Sequence, residues 1–361
     1  EVNQKDGWRW NTAKAFLRPT CYARPNFELW NKAQVAKLIL ETQADGSQRC
    51  PGVQVWSGVE MVDVKATREV ILSAGSIGSA QILQLSGIGP AAHLAEHGIP
   101  LVQDLSGVGQ NLQEHVRLAH QYDANPPHSF AQSLRFDRAA FSFLRWLFLR
   151  TGRFANQIAA ACILTRSEEG LDRPDLQIMS SPVRVDANIW FPGIAKPKRD
   201  CFYNSICLLR PKSRGSVTLR DANPRSAPRI HLNLLGDPRD WAVLKKGLAI
   251  SRKIFAGRPI ADYIVEETLP GAHVTSDAAL DAMKAELTGV VHHPVGTCAM
   301  GVGPDAVVDP QLRVRGIEGL RVADASVMPL LVGANTNAAA VMIGEKASDL
   351  ILQSARQEHA A

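Results

Sequence analysis

The segment from Glu69 to Gly89 reads EVILSAGSIGSAQILQLSGIG, and it decides how the surrounding chain is interpreted. An apolar run ends at Gly75, and a helical pattern follows from Ser76 to Leu85. A strand that leads through a glycine turn into a helix is typical of a buried strand in a helix-covered sheet. Small side chains at such a turn let the backbone approach a flat ligand closely. We therefore expect a mixed α/β fold with a ligand at this turn.

Composition narrows the classes of protein. The chain has 361 residues, of which 45% are hydrophobic and 21% charged, and this balance is typical of a globular protein. The length predicts two or three domains or one large domain. The net charge of +5 is small and the basic residues are scattered, so no nucleic-acid partner is predicted. The six cysteines lack C-x-x-C spacing. They predict no metal site and no disulfide framework, and they favour a reducing, cytoplasmic compartment.

The ends and apolar segments of the chain bear on targeting. The first ten residues are polar and contain neither an initiating methionine nor the apolar core of a signal peptide, so we expect the sequence to begin within a longer protein. No segment has the length of a membrane span. The most apolar one, Phe141–Phe148, is interrupted by Arg145 and closed by Arg150. A buried or groove-facing helix is the first interpretation, and peripheral membrane contact stays open.

Proline clusters divide the chain into three parts. Strand and helix patterns alternate over residues 1–119, and mixed periodicity with many prolines follows over 120–211. Residues 212–352 return to short strands and well-marked helices: one begins at Asp237-Pro238, a second is expected over residues 276–287, and the last is expected from about Asn337 to Leu352. We expect a second, substrate-facing domain with an antiparallel sheet in the middle part, and a return to the first domain from about residue 294.

A histidine motif near the C-terminus indicates chemistry. His292 and His293 begin the run HHPVGTC, in which a proline and a glycine can hold an imidazole in a fixed turn. An imidazole with a near-neutral pKa can take a proton from a hydroxyl group. Asn335 follows later, and its amide can donate a hydrogen bond to an oxygen or cap a helix. Asn337 is the alternative cap.

Several stretches together resemble the glucose–methanol–choline (GMC) oxidoreductases, which are flavin enzymes that oxidise alcohols. The resemblance covers most of the chain and is tightest over 7–115 and 210–350. The resemblance rests on four stretches: the Gly75–Gly89 signature, the His-Pro-x-Gly-Thr motif, and the runs GWRWNTAKAFL (Gly7–Leu17) and GVGQNLQEH (Gly107–His115). In the first stretch Ala80 stands where proline or serine is usual. In the last run Glu114 replaces an aspartate.

The resemblance implies the cofactor FAD and a set of site residues. It implies that His293 is the catalytic base, and His292 matches no family role. Asn335 falls at the position of the second catalytic residue, whereas His115 is interpreted as structural. The positions that would contact FAD are Val35 on the adenine side and Asp324, Ala325, Asn335 and Thr336 on the flavin side.

The sequence also departs from the family's pattern. The phosphate-binding G-x-G-x-x-G does not occur in it, and GVGQNL at Gly107 lacks the third glycine. The implied Rossmann-like domain would therefore lack its N-terminal βαβ unit. We expect the chain alone to bind FAD weakly or not at all, and Val70, Ile71 and Leu72 to lack neighbours on one side.

Substrate and activity are left with alternatives. Phe154–Ala161 resembles the segment in which choline-oxidising members place a glutamate, and the matching position is Ala159. Without a carboxylate or aromatic cage there, a neutral primary alcohol fits better than choline. The electron acceptor, oxygen or a quinone, stays open. The alternatives to alcohol oxidation are a non-catalytic or partner-dependent fragment and a flavin-containing cyanohydrin lyase.

Overall fold

The computed structural model describes residues 3–156 and 159–360 and divides into two compact units. Unit 1 comprises Glu1–Glu28, Val116–Leu209 and Trp241–Val290. Unit 2 comprises Leu29–His115, Arg210–Asp240 and Val291–Ala361. Both units are thus assembled from stretches that are distant in sequence.

The fold is mixed α/β, as the sequence predicts. The strands are β1 (Gln4–Lys5), β2 (Trp8–Arg9), β3 (Gln34–Thr42), β4 (Gln48–Trp56), β5 (Met61–Lys65), β6 (Val70–Leu72), β7 (Ile88–Gly89), β8 (Gln103–Asp104), β9 (Val116–Ala124), β10 (Ala161–Thr165), β11 (Leu176–Ser181), β12 (Asp200–Leu208), β13 (Ser216–Thr218), β14 (Arg229–His231), β15 (Ile264–Leu269), β16 (Thr288–Val290), β17 (Ile317–Glu318) and β18 (Leu320–Val322).

The α-helices are α1 (Arg18–Thr20), α2 (Gly75–Leu85), α3 (Ala91–Glu96), α4 (Phe130–Ser133), α5 (Phe136–Leu149), α6 (Pro238–Phe255), α7 (Asp277–Ala282), α8 (Lys284–Leu287) and α9 (Thr336–Ala360). Short turns of other helix types occur at Ala13–Leu17, Arg153–Ala155, Ile260–Tyr263 and Ala325–Val327.

Unit 1 is built on an antiparallel sheet in the order β10-β11-β12-β9-β15, with β16 also paired to β9. Helix α6 packs on this sheet. Its apolar residues Trp241, Leu244, Leu248 and Phe255 are buried, because their spacing places them on one side of the helix. Gly247 lies at the closest approach, where an added Cβ would come within 2.7 Å of Ile206 Cγ2.

Unit 2 contains the strand pairs that position the candidate site. Strands β3, β4 and β5 form an antiparallel sheet, and β17 adds a parallel partner to β4. Strand β6 pairs in parallel with β18, so that Val322 lies opposite Leu72. Helix α2 begins directly after β6, and its buried residues Ala80 and Leu83 join the core of the unit. The carboxyl ends of β6 and β18 therefore lie at the same edge of this strand pair.

Three helices differ from the sequence predictions. The helix expected over residues 276–287 is interrupted at Met283 and forms α7 and α8. Helix α9 continues past the expected end at Leu352, because residues 353–360 contain neither glycine nor proline. The apolar segment Phe141–Phe148 does form a helix, but Phe141 and Phe148 are 68% and 75% exposed. The interpretation as a buried helix is therefore wrong for these two residues, because only the other side of α5 packs within unit 1, whereas a groove-facing helix stays a prediction.

Candidate functional site

The turns that follow β6 and β18 are tied together by one carboxylate. Asp324 Oδ2 accepts hydrogen bonds from the Gly75 backbone N–H at 2.9 Å and from Ser79 Oγ at 2.6 Å. Its other oxygen, Oδ1, accepts the backbone N–H of Ser326 at 2.8 Å. Asp324 is 9% exposed, and its three hydrogen bonds satisfy a charge that would otherwise be costly to bury. The two strand ends are therefore held in a fixed relation.

The histidine motif is anchored to the same turn. Ser76, the second residue of α2, donates its hydroxyl to the backbone oxygen of Pro294 at 2.6 Å. The backbone N–H of Cys298 donates to the Ser326 carbonyl at 3.0 Å. Gly296 has φ +99°, and an added Cβ there would lie 2.4 Å from the Asn111 carbonyl oxygen, so this position requires glycine. The loop that carries His293 is thus fixed beside the ends of β6 and β18.

A buried carboxylate, that of Glu114, binds the backbone of His293. Its N–H donates to Glu114 Oε1 and Oε2 at 2.7 and 3.0 Å. Glu114 is 6% exposed. Burial raises the pKa of the Glu114 carboxyl above its ordinary value, and the N–H groups directed at it act in the opposite sense. The backbone of His293 is therefore fixed by a residue of the GVGQNLQEH run, which is distant in sequence.

The His293 ring lies between a second imidazole and an amide. His293 Nδ1 is 2.9 Å from His115 Nδ1, and the two rings are nearly perpendicular at 83°. His293 Nε2 is 3.4 Å from Asn335 Nδ2. The Asn335 amide nitrogen can only donate, so its contact fits the His293 tautomer that carries the proton on Nδ1 and accepts at Nε2. His115 Nδ1 then accepts the Nδ1 proton, and the Nε2 lone pair faces the Asn335 amide.

The protonation equilibrium of His293 favours the neutral imidazole, which is the form that can act as a base. Burial lowers the pKa of His293 below its ordinary value, and the neighbouring His292 lowers it further by charge repulsion. The neutral imidazole therefore predominates at a lower pH than for an exposed histidine. The arrangement can accept a proton at Nε2 and can stabilise the resulting imidazolium through the hydrogen bond to His115.

The other predicted site residues lie as follows. Asn335 immediately precedes α9, so it occupies the cap position as well as contacting His293, whereas Asn337 lies inside the helix. Thr336 is the first residue of α9. Ala325, partly buried, follows Asp324 in the short helical turn Ala325–Val327, and Val35 lies in a different sheet, in β3 opposite Val55. His292 has φ +63° and is exposed.

Sequence reasoning missed the roles of two residues that it had singled out. His115 and Glu114 lie about 180 positions before His293, and nothing in their spacing indicates that one contacts its ring and the other its backbone. The available signal was their occurrence in a run that resembles a family motif. Gln157 and Ile158, in the segment around Ala159, lie outside the described residues.

A second cluster of histidines in unit 2 has a structural explanation. His93, Glu96 and His97 offer possible metal-ligand atoms within 4.8 Å of one another. His93 Nε2 accepts the backbone N–H of Leu219 at 3.0 Å, so neutral His93 carries its proton on Nδ1. That nitrogen faces Glu96 Oε2 at 3.6 Å. A metal at Nδ1 would have to displace this proton, so the geometry favours a metal-free contact between His93 and Glu96.

The fold and site define a class: an α/β protein with a histidine and an amide beside the ends of two parallel strands. Two sequence models of the family described as GMC oxidoreductase match residues 1–117 and 211–344. The chain belongs to the GMC oxidoreductase family. It is 41% identical over 349 residues to an oxygen-dependent choline dehydrogenase of Brucella ovis, covering 96% of this chain and 62% of that protein. A protein of the same name from Sinorhizobium medicae is 39% identical over 348 residues, covering 96% and 61%.

Solved structures are similar over almost the whole chain. Formate oxidase from Aspergillus oryzae matches with a TM-score of 0.88 and 25% identity, covering 98% of this chain and 65% of that one. Pyridoxine 4-oxidase from Mesorbium loti matches with a TM-score of 0.79 and 27% identity, covering 99% and 63%. This chain spans 62% of the length of the first choline dehydrogenase it matches.

Proposed function

We propose that this chain carries the substrate-oxidising part of an FAD-dependent alcohol dehydrogenase or oxidase. The observation that supports the proposal is the arrangement of His293, whose Nδ1 meets His115 and whose Nε2 faces Asn335. A basic nitrogen whose lone pair faces an amide donor suits removal of a hydroxyl proton, because a substrate oxygen can take up the amide hydrogen bond and present its own proton to that nitrogen. Family membership and the FAD-containing relatives support the cofactor.

The residues at the strand ends are compatible with FAD. Gly75 has φ +76°, and no heavy atom lies within 4 Å of an added Cβ, so space is open beside the turn. Strand ends of this kind are where α/β sheets bind nucleotide cofactors. Asp324, Ala325, Asn335 and Thr336 would hold the flavin end, and Val35 would meet the adenine end. When bound, FAD supplies the acceptor for the hydride that leaves the alcohol carbon.

The chain's own residues would divide the remaining work. Asn335 would donate its amide to the substrate oxygen and orient the hydroxyl toward His293. His293 Nε2 would then take the hydroxyl proton, and the shared proton between His293 and His115 would stabilise the positive charge on the imidazole pair. Glu114 would keep the ring in place by fixing its backbone.

Choline and a neutral primary alcohol are the two substrate classes to compare. The relatives named choline dehydrogenases favour choline, whereas the match of Ala159 to the family's glutamate position favours a neutral alcohol. The electron acceptor is oxygen or a quinone. Supplying each substrate anaerobically and then each acceptor would distinguish these possibilities.

The test is reduction of bound flavin by alcohol. In the complete enzyme, formed from this chain and an N-terminal segment that contains G-x-G-x-x-G, the His293→Ala variant should retain flavin, but alcohol should reduce that flavin at least about a hundredfold more slowly, the scale of a lost general base. His292→Asn is the matched control, because asparagine tolerates the left-handed backbone at this position, and above the pKa of His293 it should react at the unchanged rate. Reduction of flavin by alcohol at the wild-type rate in the His293→Ala variant would contradict the proposal.

Two other outcomes identify the alternatives. Flavin that binds but is never reduced by any alcohol, in a preparation that cleaves cyanohydrins, indicates a lyase. Flavin that binds neither to the chain alone nor to the chain supplied with a G-x-G-x-x-G segment indicates a non-catalytic fragment.

A further inference from the structure

Helix α5 presents an exposed apolar surface in unit 1. Five large apolar side chains on it are between 49% and 75% exposed: Phe136, Phe141, Leu144, Phe148 and Leu149. Ala139 is the one fully buried residue of the helix. Exposed aromatic residues in such number on one helix are characteristic of interaction surfaces rather than of ordinary solvent-facing helices.

The opposite side of α5 is attached to its own unit. Trp146 Nε1 donates to the Gly7 carbonyl oxygen at 2.8 Å, and its ring meets Trp8 edge-on with centroids 4.8 Å apart. The guanidinium of Arg150 lies over the Trp8 ring at 4.2 Å from its centroid. The helix is therefore held in place by one side, and its exposed side is a formed surface.

Arginines border the exposed aromatic residues. Arg138 and Arg145 lie three residues before and four residues after Phe141, which places all three on one side of the helix. The one acidic residue of the helix, Asp137, is paired with Arg135 through Nε and Nη2, both at 2.7 Å. The exposed face therefore carries net positive charge beside its aromatic rings.

The surface continues onto a neighbouring segment of unit 1. Phe136 stacks on Phe191 with ring centroids 4.7 Å apart, and its backbone N–H donates to the Trp190 carbonyl at 2.9 Å. In this neighbouring segment, residues 185–194, the side chains of Val185 and Ile194 are 78% and 84% exposed. The apolar surface is therefore wider than the helix alone.

We propose that this α5 face docks on the surface of a lipid bilayer that contains anionic lipids. Apolar rings can enter the acyl boundary while guanidinium groups stay at the level of the lipid phosphates. A helix of 14 residues is about 21 Å long, which suits a helix lying in the plane of the interface. Among the described residues, no helix has both the length and the apolarity to cross a membrane.

Charge is the reason for preferring lipid over protein as the occupant. A protein partner that covered the rings would also have to desolvate Arg138 and Arg145 and supply carboxylates for them. A bilayer provides phosphates at the depth these side chains reach, at no cost of burying the charges. A second copy of this chain would place like charges against each other.

The experiment is flotation of the full chain on a density gradient with two kinds of vesicle, phosphatidylcholine alone and phosphatidylcholine with phosphatidylglycerol; vesicle-bound protein rises, whereas aggregated protein pellets. The wild-type chain should bind the anionic vesicles at least about tenfold more tightly than the neutral ones, and added salt should weaken binding. Phe141→Ser/Phe148→Ser should abolish binding, and Arg138→Gln/Arg145→Gln should lower it about tenfold or more. Val59→Ser/Val302→Ser, at positions 86% and 84% exposed in unit 2, is the matched control and should bind like wild type.

Several outcomes would overturn the proposal. The proposal is wrong if the wild-type chain does not bind anionic vesicles. It is also wrong if the Phe141→Ser/Phe148→Ser variant binds them as tightly as the wild type. A dimer that forms without lipid and is abolished in that variant would assign the face to a second copy. Equal thermal unfolding midpoints for all variants would exclude misfolding as the cause of any loss.

Discussion

At the scale of single residues, the protonation state of His293 decides the proposed chemistry. A base must be neutral to act, and burial lowers the pKa of His293 below the ordinary value of about 6.5. The rate should therefore rise with pH through this lowered pKa and stay high above it. We expect the acid limb of kcat/KM against pH to have its midpoint below about 6.5. A midpoint above that value would contradict the assignment of His293 as a buried neutral base.

His115 is expected to act as a positioning residue for His293. His115→Leu removes the acceptor for the Nδ1 proton, which frees the ring to adopt the wrong tautomer. Flavin reduction should slow by about tenfold to a hundredfold, the range seen when a group that orients a functional imidazole is lost. The acid limb of the pH profile should move at the same time.

Conservative replacement separates positioning by His115 from a purely structural role. His115→Asn supplies an amide oxygen that can accept the Nδ1 proton, so it should retain more activity than His115→Leu at similar thermal stability. His292→Asn, at the exposed neighbouring position, is the control. If the leucine variant kept both the wild-type rate and pH profile, the shared proton would have no role in the reaction.

At the scale of elements, two helical glycines provide a matched test of packing. Gly247 in α6 approaches Ile206 and Leu176 so closely that an added Cβ would lie 2.7 and 3.2 Å from their methyl groups. Gly344 in α9 has no heavy atom within 4 Å of an added Cβ. Alanine favours a helix over glycine by up to about 1 kcal/mol, whereas overpacking costs about 1–3 kcal/mol.

Gly247→Ala should therefore lower the free energy of unfolding by up to about 2 kcal/mol, and Gly344→Ala should raise it by about 0.5–1 kcal/mol. Denaturant unfolding of both variants beside the wild type measures the two effects. Stabilisation by Gly247→Ala would mean that α6 and the sheet can separate by several tenths of an ångström at little cost.

At the scale of the whole molecule, β6 is the element to test. Within the described chain it pairs on one edge with β18, and Ile71 is 43% exposed. The sequence contains no G-x-G-x-x-G that would bring a helix N-terminus to the FAD pyrophosphate. We expect the 361-residue chain alone to be colourless, inactive and prone to aggregate along this apolar edge.

Addition of an N-terminal segment that contains G-x-G-x-x-G, fused or as a separate chain, should restore yellow colour and alcohol-dependent bleaching together. The same segment with its glycines replaced by alanine is the control and should restore neither. A soluble, yellow, alcohol-oxidising preparation of residues 1–361 by themselves would contradict this prediction.

Local sequence patterns were sufficient for much of the fold and for part of the site. The glycine turn after β6 and the aspartate N-cap of α6 follow from backbone and hydrogen-bonding preferences that act over a few residues. Asp237 Oδ1 accepts the Arg239 N–H at 2.9 Å, as a cap of this kind requires. The resemblance to family motifs singled out His293 and Asn335, which the structure places 3.4 Å apart.

The tertiary structure alone decided which distant groups meet. The contacts of His293 with His115 and Glu114 depend on two loops brought together by strand pairing and core packing, and no local periodicity encodes such a meeting. The exposure of Phe141 and Phe148 likewise depends on which side of α5 finds a neighbour, because an apolar sequence fixes the preference for burial but not the surface available to bury it. The sequence by itself thus determined the elements, the turns and the candidate base, whereas long-range packing determined the groups that contact that base and the face that α5 leaves exposed.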